Sequence, residues 1–170
     1  MANDTGSLGF FAASILAKTA GPQPQKTPLI AKEEELSFAA LNQRVQSLAA
    51  HLQQEGICQG DRVGVLLPNS TAIPLSYYAT QKIGAVTVIL DARLKGRELQ
   101  GVLQDADLKL LIVHAQLYPE VEEGSNDMAA VPVWIVNGAG DQSFEKRFAP
   151  PAGAVSLPTL KADDDALILY

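Results

Sequence analysis

Between Arg62 and Val113 short apolar runs alternate with longer segments of helical length, and that alternation restricts the fold more than any other feature of the chain. Arg62–Leu67, Ala85–Leu90 and Leu108–Val113 are apolar on both faces, as strands covered on both sides of a parallel sheet must be. Thr71–Ile83 and Gly96–Ala106 are long enough for the helices between them, and Pro68-Asn69-Ser70 and Gly84 punctuate the joins. Parallel strands linked by helices need right-handed crossovers. The expected fold class is therefore α/β, a mostly parallel sheet flanked by helices on both faces.

The flanking segments extend this reading. Residues 8–19 form a short apolar helix in expectation, closed by Gly21-Pro22-Gln23-Pro24, where proline lacks the amide a helix needs. Leu29-Ile30-Ala31 and the charged run after it read as a small hairpin. Ser37 then caps a helix whose apolar residues Phe38, Leu41, Val45, Leu48 and Leu52 fall three and four apart, with Gly56 just past its end. Glu122–Ala130 is polar, Val131–Val136 reads as a fourth strand, and 137–160, rich in Gly, Pro and Ser, as a long surface connection. The divisions expected are 1–28 (N-terminal helix and Pro-rich connection), 29–136 (α/β core), 137–160 (long connection) and 161–170 (a further strand).

Thirteen basic and nineteen acidic residues leave a net charge of -6, the wrong sign for tracking a phosphate backbone, so no nucleic acid partner is expected. The charge is uneven: residues 1–97 carry 9 basic and 7 acidic side chains (+2), residues 98–170 carry 4 and 12 (-8), which places any anion site in the first part. The one cysteine, Cys58, has no partner for an internal disulfide or a zinc pattern. His51 and His114 likewise lack the spaced partners of a metal site or a triad. Neither Gly-x-x-x-x-Gly-Lys-Ser/Thr nor Gly-x-Gly-x-x-Gly is present. Apolar stretches fall short of the roughly 18–20 residues that span a bilayer. The segment before Phe10–Ala17 holds Asp4 and no Lys or Arg, unlike a secretory leader. A cytoplasmic location is expected.

In open α/β sheets ligands sit beyond the carboxyl ends of the strands, which singles out Asn69, Asp91, Arg93, His114 and Asn137. The plain alternative is that strand ends carry polar loops. Arg93, Lys95 and Arg97 place three cations within five residues, fitted to phosphate or to surface ion pairs. Tyr77 and Tyr78 could line a ligand passage, although half-buried core tyrosines with wet hydroxyls are commoner. His114 reads first as a hydrogen-bonded strand-edge histidine, and Cys58 as an inert small residue. Asp163–Asp165 read as a solvated cap, since consecutive residues cannot all converge on one ion.

The order of segments from Leu36 to Val113 resembles the N-terminal portion of the adenylate-forming superfamily, which unites acyl- and aryl-CoA ligases, adenylation domains and luciferases. Leu36-Ser37-Phe38-Ala39-Ala40-Leu41 is similar to the family's Leu-Thr-Tyr-x-Glu-Leu start, followed by Gly56-Ile57, Gly60-Asp61-Arg62-Val63 and Leu66-Leu67-Pro68-Asn69-Ser70. Lys82-Ile83-Gly84-Ala85-Val86 resembles Lys-Ala-Gly-Ala-Val, and Ile89-Leu90-Asp91-Ala92-Arg93-Leu94 resembles Pro-Leu-Asn-Pro-Arg-Leu. Ala40 stands in place of the Glu, Ile89 and Ala92 in place of the prolines, and Asp91 in place of the Asn. Without those prolines the turn after Leu90 is expected to be looser. Asp164-Asp165-Ala166-Leu167-Ile168-Leu169-Tyr170 resembles the lead-in to the family's ATP-phosphate loop.

The resemblance implies an N-terminal fragment, inactive alone, of an ATP-dependent acyl- or aryl-CoA ligase. The whole enzyme would use Mg, ATP and CoA to join a carboxylate substrate first to AMP and then to the CoA thiol. It assigns Arg93 to the nucleotide end of CoA, no catalytic residue and no metal ligand to this chain, and the remaining domains of the same polypeptide as partners, with a homodimer also open. An adenylation domain serving a carrier protein or peptide synthetase fits residues 36–113 equally, and a self-standing α/β binding module without activity is the alternative from another class.

Overall fold

The computed structural model describes residues 12–32, 34–123, 131–151, 156–161 and 163–170. Helix α1 (Ala12–Ala20) is followed by the antiparallel pair β1 (Leu29–Ile30) and β2 (Glu35–Leu36), in which Leu29 faces Leu36. Helix α2 (Phe38–Gln54) begins where the Ser37 hydroxyl accepts the Ala40 amide at 3.2 Å. It buries Leu41, Val45, Leu48 and Leu52, the stripe its periodicity marks. Gly56, at φ +85°, reverses the chain with the amides of Gly56 and Ile57 returned to the carbonyls of Gln53 and Leu52.

Then come β3 (Arg62–Leu66), α3 (Ala72–Lys82), β4 (Val86–Ile89), α4 (Gly96–Asp105), β5 (Leu110–His114), a short α5 (Tyr118–Glu122), β6 (Val133–Val136) and β7 (Leu167–Leu169). Five of the strands form one parallel sheet in the order β6-β5-β3-β4-β7, with Gly64 set between Val88 and Leu111 and Val88 also facing Ile168. The α/β class and the parallel sheet covered on both faces are as expected. Alternation along β3 divides the core: Val63 and Val65 pack with α1, α2 and α3, whereas Leu66 packs with Leu99 and Leu103 of α4 and Val121 of α5. Each such leucine, fully buried, contributes about 1.5–3 kcal/mol of apolar transfer.

Three segments differ from expectation or extend it. Helix α5 was not anticipated, because five residues with only Val121 buried show no period; Pro119, in its first turn, is the local signal. Residues 137–160 are not all surface: two 3₁₀ turns, Gly140–Gln142 and Glu145–Phe148, bracket Phe144, which is 1% exposed and stacks near Trp134. The turn after Leu90 is tied rather than loose, since the Asp91 carbonyl accepts the Leu94 amide at 3.0 Å and the Asp91 carboxylate accepts the Arg93 amide at 2.9 Å. The start of the first helix expectation, at residues 8–11, and most of the polar stretch, 124–130, lie outside the described residues.

Candidate functional site

Strand order determines where a crevice opens. From β3 the chain moves to β4 on one side and then, through α4, back to β5 on the other. The loops leaving β3 and β5 diverge onto opposite faces, and the space outside their carboxyl ends is left uncovered. A cavity of about 490 Å³ occupies that space, walled by the β3–α3 loop, the ends of β5 and β6, the second 3₁₀ turn, and Glu34 and Arg44 from the hairpin and α2.

Its polar groups are held in three sets. Arg44 Nη1 donates to both carboxylate oxygens of Glu34 at 2.8 Å, Thr71 Oγ1 donates to Glu34 Oε1 at 2.9 Å, and the Arg44 guanidinium lies 4.5 Å from the centre of the Phe148 ring. At the end of β6, Asn137 adopts φ +58°, a left-handed conformation that asparagine tolerates. Its amide donates to Glu145 Oε1 at 2.9 Å, and Ser143 Oγ donates to the other oxygen of that carboxylate at 3.0 Å. His114 Nδ1 accepts the Gln116 amide at 3.2 Å, so the neutral ring carries its proton on Nε2. The Asn137 side-chain amide places its Nδ2 3.1 Å from Nε2, and exchanging that amide's nitrogen and oxygen gives the proton an acceptor. Ser70 Oγ is buried in the wall without a hydrogen-bond partner.

Of the strand-end residues, Asn69, His114 and Asn137 line this cavity, whereas Asp91 and Arg93 pair with each other at the end of β4 and do not line it. Arg93 donates from Nε to both Asp91 oxygens at 3.0 Å and from Nη2 to Oδ2 at 2.6 Å. These side-chain bonds, then the one from the Arg93 amide, lower the Asp91 carboxyl to about 2. The Arg93 side chain remains 89% exposed. Lys95 lies 3.6 Å from Glu120, and Arg97 makes no ion pair among the described residues.

Tyr77 and Tyr78 are half-buried, edge to face at 5.5 Å, with Tyr78 packed on the α2–α3 core and neither in the cavity wall. Cys58 is exposed, its thiol donating to the Gly56 carbonyl at 3.4 Å. Asp164 caps its own turn, accepting from the Lys161 amide and from Gln59 Nε2. Glu34, Arg44, Glu145 and Phe148 escaped the sequence reading. Arg44 alone carried a signal: it lies three residues after Leu41 and four before Leu48, on the edge of the apolar stripe, where a cation needs a partner. The crevice can hold a small ligand by hydrogen bonds and an aromatic wall. Among the described residues no three His, Cys, Asp or Glu side chains converge to hold a metal ion.

A parallel sheet wound outward in both directions from β3, open at the reversal, defines a doubly wound α/β unit. The chain belongs to the AMP-binding enzyme family, whose model matches residues 16–170. It is 30% identical over 164 residues to the crotonobetaine/carnitine–CoA ligase of Salmonella paratyphi B, covering 89% of this chain and 32% of that protein. A Mycobacterium tuberculosis fatty acyl CoA synthetase superposes with a TM-score of 0.78 at 27% identity, over 94% of this chain and 32% of the other. A benzoate CoA ligase from Burkholderia xenovorans has the same fold, with a TM-score of 0.82 at 19% identity over 94% of this chain and 32% of the other. The chain spans about a third of the length of the curated relatives it matches. No helix among the described residues is long and apolar enough to cross a membrane.

Proposed function

We propose that this chain serves as the N-terminal part of an AMP-forming acyl- or aryl-CoA ligase. In that reaction a substrate carboxylate attacks the α-phosphorus of ATP and releases pyrophosphate; the CoA thiolate then attacks the acyl carbon and displaces AMP. The observation that carries the reading is the family match over 16–170, made by a chain about a third as long as the CoA ligases it resembles. The chain's share is scaffold and one contact: Arg93, exposed at the end of β4 in the net-positive part of the sequence, meets the nucleotide end of CoA. Transition-state charge is stabilised by residues outside the 170, and no step through magnesium is assigned to these. A cytoplasmic location fits the reading. One observation favours the second acceptor, a pantetheine tethered to a carrier protein: Asp91 already occupies Arg93.

Carboxylate-dependent ATP–pyrophosphate exchange tests the reading. A polypeptide joining this chain to the remaining two thirds of a related ligase exchanges label, and the 170 residues alone do not. Exchange by the 170 residues, or none by the joined polypeptide when it folds, refutes it.

A further inference from the structure

We infer that Asp91 is a resident competitor for the Arg93 guanidinium, so that the arginine meets a CoA phosphate already shared with a carboxylate and binds it more weakly than a free arginine would. This rests on the reading of Arg93 as a CoA contact. Asp91 takes the Nε–Nη2 edge of the guanidinium through both oxygens, with the Arg93 amide as an additional donor to Oδ1. The far edge, Nη1 with the second Nη2 hydrogen, stays open, and the side chain is solvent-exposed. A phosphate docked on that edge lies one guanidinium width from the Asp91 carboxylate, within the roughly 8 Å over which charge is felt at physiological salt. Asp91, Arg93, Lys95 and Arg97 sum to +2, and Lys95 is itself drawn towards Glu120.

The sequence departure gives the inference its direction. Asparagine, which the family carries at this position, can still accept the Arg93 amide and Nε through one oxygen, so the turn survives while the negative charge and the second oxygen are lost. Asp91 thus orients the arginine and at the same time repels what the arginine binds. Relieving the repulsion is expected to outweigh the lost second oxygen, because asparagine keeps an oxygen for the Nε bond that holds the side chain. Asp91→Asn is expected to tighten CoA binding roughly three- to tenfold at low salt.

The test uses the isotopically labelled 170-residue chain, titrated with CoA and with dephospho-CoA, following the backbone amides of 93–97 and the Arg93 Nε–H. Dispersed spectra establish that each variant is folded. Tighter binding of CoA alone by Asp91→Asn, with a steeper salt dependence, upholds the inference and identifies the 3′-phosphate as the group held. Equal tightening towards both ligands upholds it with the diphosphate as the group. If Arg93→Ala weakens CoA binding while Asp91→Asn leaves it unchanged or weaker, the competition is overturned and the CoA reading stands. The competition is also overturned if Asp91→Asn binds more tightly even with Arg93 replaced by alanine. If Arg93→Ala binds CoA as the parent chain does, the reading of Arg93 falls and the inference with it.

Discussion

Replacing Gly64 by alanine tests whether the sheet's centre is packed to its limit. Gly64 lies mid-way along β3, between Val88 and Leu111, on the face turned towards α4. A Cβ there would stand 2.5 Å from Leu108 Cδ1, 2.9 Å from Leu111 Cδ1 and 3.3 Å from Leu108 Cδ2. Both leucines are buried, Leu111 completely, so their methyls can only move into other packed atoms. Overpacking of this kind costs about 1–3 kcal/mol, offset by the roughly 0.5–1 kcal/mol that alanine gains over glycine inside a strand. Gly64→Ala should therefore lose about 1–2 kcal/mol, a sizeable part of the 5–15 kcal/mol typical of a domain. Urea unfolding of the parent, Gly64→Ala, Leu108→Ala and the double variant measures it. Removing the Leu108 methyls opens the space the new Cβ needs, so the double variant should be more stable than the sum of the single losses by about 1 kcal/mol. A Gly64→Ala variant as stable as the parent, or strictly additive losses, would refute the packing argument.

Two further outcomes follow from local geometry. Ser37→Ala removes the side-chain oxygen that accepts the Ala40 amide and should cost about 1 kcal/mol, read as a lower urea midpoint at unchanged slope. The Asp91 carboxyl, followed by carbon NMR, should titrate at about 2 and return towards 3.8 in Arg93→Ala. Since the folded value lies below the unfolded one, the pair's contribution to stability is present above about pH 4 and is lost as the pH falls towards 2. An Asp91 midpoint near 4 in the parent chain would show that the ion pair does not persist in solution.

The fold was largely legible because its elements advertise themselves locally. Val63, Val65, Leu110 and Ile112 sit in runs that only a two-sided core explains, and α2 displays its buried stripe residue by residue. Where burial depends on a single side chain, the pattern is silent: Phe144, with only Phe148 beside it, lies in a stretch rich in Gly, Pro and Ser, and Val121 is the one buried residue of α5. The crevice was half legible. Asn69, His114 and Asn137 follow from the rule about strand ends, whereas Glu34, Arg44 and Glu145 look like any surface charges until the strand order brings the hairpin, α2 and the second 3₁₀ turn to one rim. That order reverses at β3, and hydrophobic period carries no information about it. The Asp91–Arg93 pair lay in plain view as two charges two residues apart; what periodicity could not tell was that the carboxylate would turn onto its neighbour.

The sheet's arrangement also sets an order of assembly. The ladders of β3 with β4 and of β5 with β6 each close over a short crossover and that of β3 with β5 over a longer one through α3, β4 and α4, while β7 reaches β4 only after the chain has run through every other strand, bringing Ile168 to Val88. Closing so long a loop is entropically dearer than closing the others, so loop-closure entropy alone predicts that the sheet nucleates around β3 and gains its fifth strand late. The segment before β7 shortens that search. Gln53 on α2 exchanges two hydrogen bonds with the Ser156 backbone, at 2.7 and 2.9 Å, and His51 meets the Ala149 carbonyl at 3.0 Å, tethering the returning chain to α2. Among the described residues β7, three residues long, joins the sheet through β4 alone, on the far side of β3 from the crevice.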